Sequence, residues 1–118
     1  MPIFHNGTWY DEAGNVLGLR SAPQYAAVTL AVGGLVVAAV AGRKIRVTQL
    51  YVNALAATNI KFQSNTTDIS ATLYLAANGG AVLPESEAGW FETAAGEALN
   101  LAMSVNTSVG VQVQYVLV

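Results

Sequence analysis

In the segment VGVQVQYVLV, Val109, Val111, Val113, Tyr115 and Leu117 fall on one side while Gly110, Gln112, Gln114, Val116 and Val118 fall on the other. That two-residue period belongs to a pleated strand, not a helix. Just upstream, Leu99, Leu101 and Met103 alternate with Asn100 and Ala102, and Val105-Asn106-Thr107-Ser108 supplies turn formers between the two runs. The pattern predicts an antiparallel hairpin, with the chain ending inside a sheet.

The same alternation recurs upstream. From residue 26 onward, β-prone runs at 26–32, 35–40, 44–55, 58–63, 71–76, 81–83, 90–93, 99–104 and 109–118 are separated by turn signals such as Gly33-Gly34, Ala41-Gly42 and Asn78-Gly79-Gly80. Gly33-Gly34, flanked by β-branched residues, predicts a second hairpin. About eight strands at this spacing describe an all-β protein, a jelly-roll or related Greek-key β-sandwich of residues 26–118. Only Asp68-Ile69-Ser70 and residues 93–97 have room for a helical turn.

One strand changes character midway. Lys44-Ile45-Arg46-Val47-Thr48 alternates charge with apolar residues, whereas Gln49-Leu50-Tyr51-Val52 has apolar groups on both faces. Such a strand is expected to pass under a second sheet or a second subunit, which makes Leu50, Tyr51 and Val52 the candidate self-association surface. Residues 1–25 differ from everything after them. They hold the single histidine, His5, the turn signals NGT and EAGN, and the aromatics Phe4, Trp9 and Tyr10. This segment reads as an extended N-terminal arm that docks on a partner, or as a small hairpin with strands at 8–10 and 16–19. Phe4, Trp9 and Tyr10 are its candidate anchors, because buried aromatics dominate interfaces.

Composition sharpens the picture. In 118 residues, 53% are hydrophobic and only 10% charged, well below the roughly one quarter usual for a globular domain. Part of the apolar surface is therefore expected to meet protein. The five basic residues, Arg20, Arg43, Lys44, Arg46 and Lys61, form no patch, and the net charge is −2, so no nucleic-acid footprint is present. Absence of cysteine removes disulfides and thiolate metal sites. Residues 21–42 carry no charge, but Gly33-Gly34, Pro23, Gln24 and Thr29 argue for strands over a membrane helix. The N-terminus shows neither the basic region nor the apolar core of a secretory signal.

Candidate chemistry is sparse. His5 stands beside no acid or nucleophile in a recognisable motif, so no catalytic residue and no enzyme activity is expected. Glu85, Glu87, Glu92 and Glu97 cluster in sequence without the spacing of a calcium loop and read as solvated side chains. Asn78-Gly79-Gly80 lacks the lysine and helix of a phosphate loop and reads as a plain β-turn. Asn6, Asn65 and Asn106 head Asn-x-Ser/Thr triplets in expected loops. Trp90 and Phe91, adjacent on a strand, point to opposite faces, so the pair cannot form one stacking platform. No cofactor or metal is expected.

Several of these stretches, taken in order, carry a resemblance: Gly42-Arg43-Lys44-Ile45-Arg46-Val47; Lys61-Phe62-Gln63-Ser64 with Thr67-Asp68-Ile69; Leu75 to Gly80; Pro84 followed by the run from Gly89 to Leu101; and Val113-Gln114-Tyr115-Val116. Over about two thirds of its length the chain resembles small virion structural proteins of tailed bacteriophages, of the head decoration or cement type. The resemblance implies a protein on the outer surface of the capsid that binds the major capsid protein and itself, as a dimer or trimer, and stabilises the lattice. It implies no membrane and no nucleic-acid partner. The alternative is a tail or fibre module that binds a host surface glycan through loops 64–68 and 84–89.

Overall fold

The computed structural model describes residues 22–118 and, before them, the backbone of two short paired strands, β1 (Ile3–His5) and β2 (Thr8–Tyr10). Residues 16–19, expected to pair with Thr8–Tyr10, lie outside the described residues; the partner of β2 is β1. The remaining strands are β3 (Gln24–Leu30), β4 (Gly34–Val37), β5 (Ile45–Ala54), β6 (Thr58–Ser64), β7 (Thr67–Asp68), β8 (Leu73–Leu75), β9 (Gly80–Leu83), β10 (Phe91–Glu92), β11 (Leu99–Met103) and β12 (Val109–Leu117). No helix occurs among the described residues, so neither expected helical turn forms and no helix is long and apolar enough to cross a membrane.

Two five-stranded antiparallel sheets pack face to face as a β-sandwich. The first runs β3-β12-β5, with β9 and β10 sharing the far edge of β5. The second runs β4-β11-β6, with β7 and β8 sharing the far edge of β6. Between them lie Val36, Val37, Leu99, Leu101, Ile60 and Phe62 from one sheet and Ile45, Val47, Leu50, Val52, Val109, Val111 and Val113 from the other. Phe62 is fully buried and stacks on Phe91 with ring centroids 5.0 Å apart.

Both expected hairpins are corrected by this arrangement. β3 and β4, on either side of residues 31–33, lie in different sheets, as do β11 and β12 on either side of 104–108. Each of these strands carries one apolar stripe. Side-by-side pairing would leave two stripes uncovered on one face, whereas crossing the roughly 10 Å between sheets buries each stripe against the other. At the first crossing the backbone runs close over β11; a Cβ on Gly33 would stand 3.0 Å from the Leu101 carbonyl oxygen.

The change of character in β5 is a β-bulge. Gln114 pairs with Gln49 but Tyr115 pairs with Val47, which leaves Thr48 as an extra residue. Ile45 and Val47 before it and Leu50, Val52 and Ala54 after it all face the core, although they differ in parity. The buried Thr48 hydroxyl donates to the Gln114 carbonyl at 3.1 Å, and its own carbonyl accepts from Ser86 N–H at 2.8 Å. β4 has a similar irregularity at Val36, so that Val36 and Val37 are both buried.

Two consequences are measurable. Deletion of Thr48 joins Val47 directly to Gln49 and so keeps Ile45, Val47, Leu50, Val52 and Ala54 on the core face without a bulge; the expected outcome by calorimetry is a cooperative thermal transition that is retained, with its midpoint lowered by loss of the Thr48 bonds to Gln114 and Ser86. Phe62→Ala empties the centre of the sandwich and is expected to cost about 3–5 kcal/mol in urea unfolding.

Candidate interaction surfaces

Antiparallel strands that cross between sheets deliver their loops to two ends of the sandwich. Residues 31–33, 55–57, 76–79 and 104–108 gather at one end; residues 38–44, 65–66, 84–90 and 93–98 gather at the other. The ends differ sharply in charge. Arg43, Lys44, Arg46, Asp68, Glu85, Glu87, Glu92 and Glu97 all belong to the second end, and Lys61 sits midway along β6. Among the described residues, no charged side chain lies beyond Lys61 toward the first end.

That charge-free end exposes Val32 (55%), Leu55 (64%) and Val105 (54%) among Ala56, Ala57, Ala76 and Ala77. Its loops are fastened to one another. The buried Thr58 hydroxyl donates to the Val105 carbonyl at 2.9 Å and accepts from Val105 N–H at 3.1 Å. Leu55 N–H donates to Ser108 O at 2.9 Å, Ala56 N–H to Thr107 Oγ1 at 3.1 Å, and Asn78 N–H to Leu55 O at 3.2 Å. A β-turn forms at Ala76 to Gly79, one to two residues before the expected Asn78-Gly79-Gly80, with Gly79 N–H donating to Ala76 O at 2.9 Å and Asn78, with φ of 58°, as its third residue. An apolar surface held this way can meet a partner without ordering its loops first.

At the opposite end several of the charges are used internally. Arg46 pairs with Glu92 at 3.0 Å, and Arg43 donates to Leu117 O at 2.9 Å. Glu97 accepts from the buried Ser64 hydroxyl, which in turn accepts from Ala94 N–H. No group of three or more acids and histidines that could hold a metal occurs among the described residues.

The loops expected to read a glycan are also committed to structure. In 64–68, the Asn65 side chain accepts from Ala98 N–H at 3.0 Å, and Asp68 accepts from Lys61 and Gln63, both at 2.8 Å. In 84–89, Ser86 N–H is tied to Thr48 and Gly89 N–H to Ser86 O at 3.0 Å, and the exposed Trp90 is pinned by its indole N–H donating to Pro84 O at 2.7 Å. Phe91 turns inward to Phe62, so the two adjacent aromatics do face opposite ways.

The self-association surface requires correction. Leu50 and Val52 are buried in the core, because alternate residues of a strand face opposite sides; only Tyr51 reaches the surface. The side chains of the expected anchors Phe4, Trp9 and Tyr10, and that of His5, lie outside the described residues. β3 begins at Gln24, so the sandwich starts two residues before the expected boundary at 26.

Tyr51 belongs to a wider surface, the outer face of the first sheet. The register aligns Tyr25, Gln114 and Gln49 in one row, Ala27, Gln112, Tyr51 and Val82 in the next, and Thr29, Gly110, Asn53 and Gly80 in a third. No residue in these rows is charged. Two adjoining hollows of about 190 and 230 Å³ share Tyr51 and Gln112. Neither this face nor the charge-free end was identified from sequence, although Gln49, Tyr51 and Asn53 alternate visibly with the core positions Leu50, Val52 and Ala54. Searched against protein-family models, curated proteins and solved structures, the chain finds no match.

The hydrogen bond from Gln63, and then that from Lys61, hold the Asp68 carboxyl below its ordinary value of 3.8. Its folded pKa being depressed, ionised Asp68 favours the folded state above the unfolded pKa, and that contribution is lost as pH falls through the folded value. In an NMR titration, Gln63→Leu is expected to move the Asp68 midpoint upward toward 3.8.

Proposed function

We propose that this chain is a structural protein of the phage virion, a capsid decoration (cement) protein that binds the outer surface of the head through the major capsid protein and stabilises the lattice. The observation that carries this reading is the charge-free end, where Val32, Leu55 and Val105 stand exposed and the loops of Leu55 and Val105 are tied by hydrogen bonds. Burying that end costs no ion desolvation and leaves few loop groups unpaired. The resemblance to decoration proteins in the order of short motifs supplies the partner.

The finer fold assignment, a jelly roll, draws support from the strand orders. β3-β12-β5-β9 faces β4-β11-β6-β8, and the segments β3 to β4, β5 to β6 and β11 to β12 each step from one sheet to the other, as two interlocked Greek keys require. Within this reading the protein acts by binding alone and carries out no reaction. Self-association as a dimer or trimer and docking by Phe4, Trp9 and Tyr10 belong to the same proposal: β3 starts at the charged end, so an arm preceding it would supply an attachment separate from the charge-free end. For the alternative, a glycan-binding tail or fibre module, Asn65 and Asp68 in loop 64–68 are engaged in internal bonds, whereas loop 84–89 is tied through its backbone.

Electron microscopy of purified particles labelled with gold-conjugated antibody, with copy number from quantitative mass spectrometry, tests the location. Labels distributed over the head in hundreds of copies are expected; a few copies at the tail tip overturn the proposal. For the docking end, Leu55→Asp and Val105→Asp each place a charge against the partner and should weaken binding to undecorated heads at least tenfold with the thermal transition retained. Each removes an apolar side chain whose burial is worth about 1.5–3 kcal/mol.

A further inference from the structure

We propose that the outer face of the first sheet is a binding groove for a neutral, hydroxyl-rich polymer, an uncharged polysaccharide. This inference stands on the groove itself and is independent of where in a particle the protein sits.

The groove follows β12. Its floor is low because Ala27 and Gly110 present little or no side chain, and its walls are the exposed Tyr25 on β3 and Tyr51 on β5. Strands flanking β12 are about 10 Å apart, and the two tyrosines are one row out of step, so the rings stand diagonally across the groove, about 12 Å apart. A Cβ on Gly110 would lie 2.7 Å from Asn53 Oδ1, whose side chain extends over that position.

The polar groups are the informative part. Gln49, Gln112, Gln114 and Asn53 place four side-chain amides along this groove, and among the described residues none of these amides has a hydrogen-bond partner. Elsewhere the amides of Gln24, Gln63, Asn65 and Asn100 are engaged, with Tyr115, Asp68, Ala98 and the Asn65 carbonyl, while those of Asn59, Asn78 and Asn106 also have no hydrogen bond among the described residues; what marks the groove is that four such amides share one sheet face. An amide offers donors and acceptors together, which matches a sugar hydroxyl, itself both donor and acceptor. Tyrosine adds a flat apolar face for the C–H side of a sugar ring and a hydroxyl at its rim.

Other occupants fit less well. A polyanion or a charged peptide finds no counter-charge in the groove, and a lipid chain would bury the amides without partners. A second copy would have to seat its own Tyr25 and Tyr51 in these hollows and would leave the amides to pair only with one another, an occupant that the sedimentation arm of the test distinguishes.

The test is isothermal titration calorimetry of the full chain with cellohexaose, mannohexaose and chitohexaose, and with hexagalacturonate as the acidic control. Saturable binding of at least one neutral hexasaccharide is expected, stronger than that of hexagalacturonate. Tyr51→Ala and Gln112→Ala should each weaken it at least tenfold, while Tyr74→Ala on the other sheet leaves it unchanged. All three positions are exposed, and retention of the wild-type thermal transition checks the fold. Leu55→Asp, which alters only the charge-free end, should bind sugar as the wild type does. The proposal is overturned if no neutral hexasaccharide binds, if hexagalacturonate binds as tightly, or if Tyr74→Ala weakens binding as much as Tyr51→Ala. Conversion of an oligomer to monomer by Tyr51→Ala in sedimentation, without sugar binding, overturns it in favour of a second copy on this face.

Discussion

The extra residue at Thr48 sets the geometry on which the rest of the sandwich depends. β5 is one of the two inner strands of its sheet, and its apolar residues switch from odd to even positions between Val47 and Leu50. In a regular strand one half of that stripe would face solvent, and each full side chain misplaced would forfeit about 1.5–3 kcal/mol of burial. The bulge restores one continuous core face, and the Thr48 hydroxyl and carbonyl find partners in Gln114 and Ser86, so the interruption leaves those two groups satisfied. By the same step it delivers Gln49, Tyr51 and Asn53 to the outer face beside Gln114, Gln112 and Gly110, respectively. Core and groove are thus two sides of one register choice.

A second constraint follows from crossing between sheets. Because β3 to β4, β5 to β6 and β11 to β12 all step across the core at the same end, three loops converge there, and the second and third bond to each other. Thr58, buried at the start of β6, satisfies both backbone groups of Val105 in a neighbouring loop. An exposed apolar end of this kind is costly to leave wet and inexpensive to cover. The charged end is arranged in the opposite sense, with Arg46, Glu92, Arg43 and Glu97 consumed by bonds that hold strand ends together.

Much of the architecture was legible in the sequence. The period-2 runs located nine of the strands to within a few residues, and the alternation of Val109, Val111 and Val113 named core positions correctly. Pairing was less legible. A hydrophobic stripe declares that it needs cover but not whether its neighbour in sequence lies beside it or across from it, and Gly33-Gly34 and residues 105–108 suit either path. The bulge was visible as a change of character in β5 and was read as a change of environment, because a parity shift and a strand apolar on both faces look alike until a partner strand fixes the register. That ambiguity put Leu50 and Val52 at a surface when both are core. β7 escaped notice because Thr67-Asp68 follows a turn and is only two residues long; what holds Asp68 in place is its pair of bonds to Lys61 and Gln63, which no local pattern announces.

The surfaces singled out here face different directions, and this matters for how they can work together. The charge-free end lies along the strand axis, whereas the groove opens perpendicular to it on one sheet face, and β3 enters the sandwich from the charged end. A molecule seated by its apolar end therefore leaves the sheet face open to its side. Occupying one surface does not cover the other, and no residue of the groove rows has to move for the end to dock. Since the loops at the end are tied by backbone bonds and the groove lies on a paired sheet, both are preformed, so neither binding event would spend its interaction energy on ordering the chain. A low proportion of charge is in the folded molecule a division of its surface: the ions, several of them in internal bonds, toward one end, an exposed apolar end opposite, and amides with tyrosines on one sheet face.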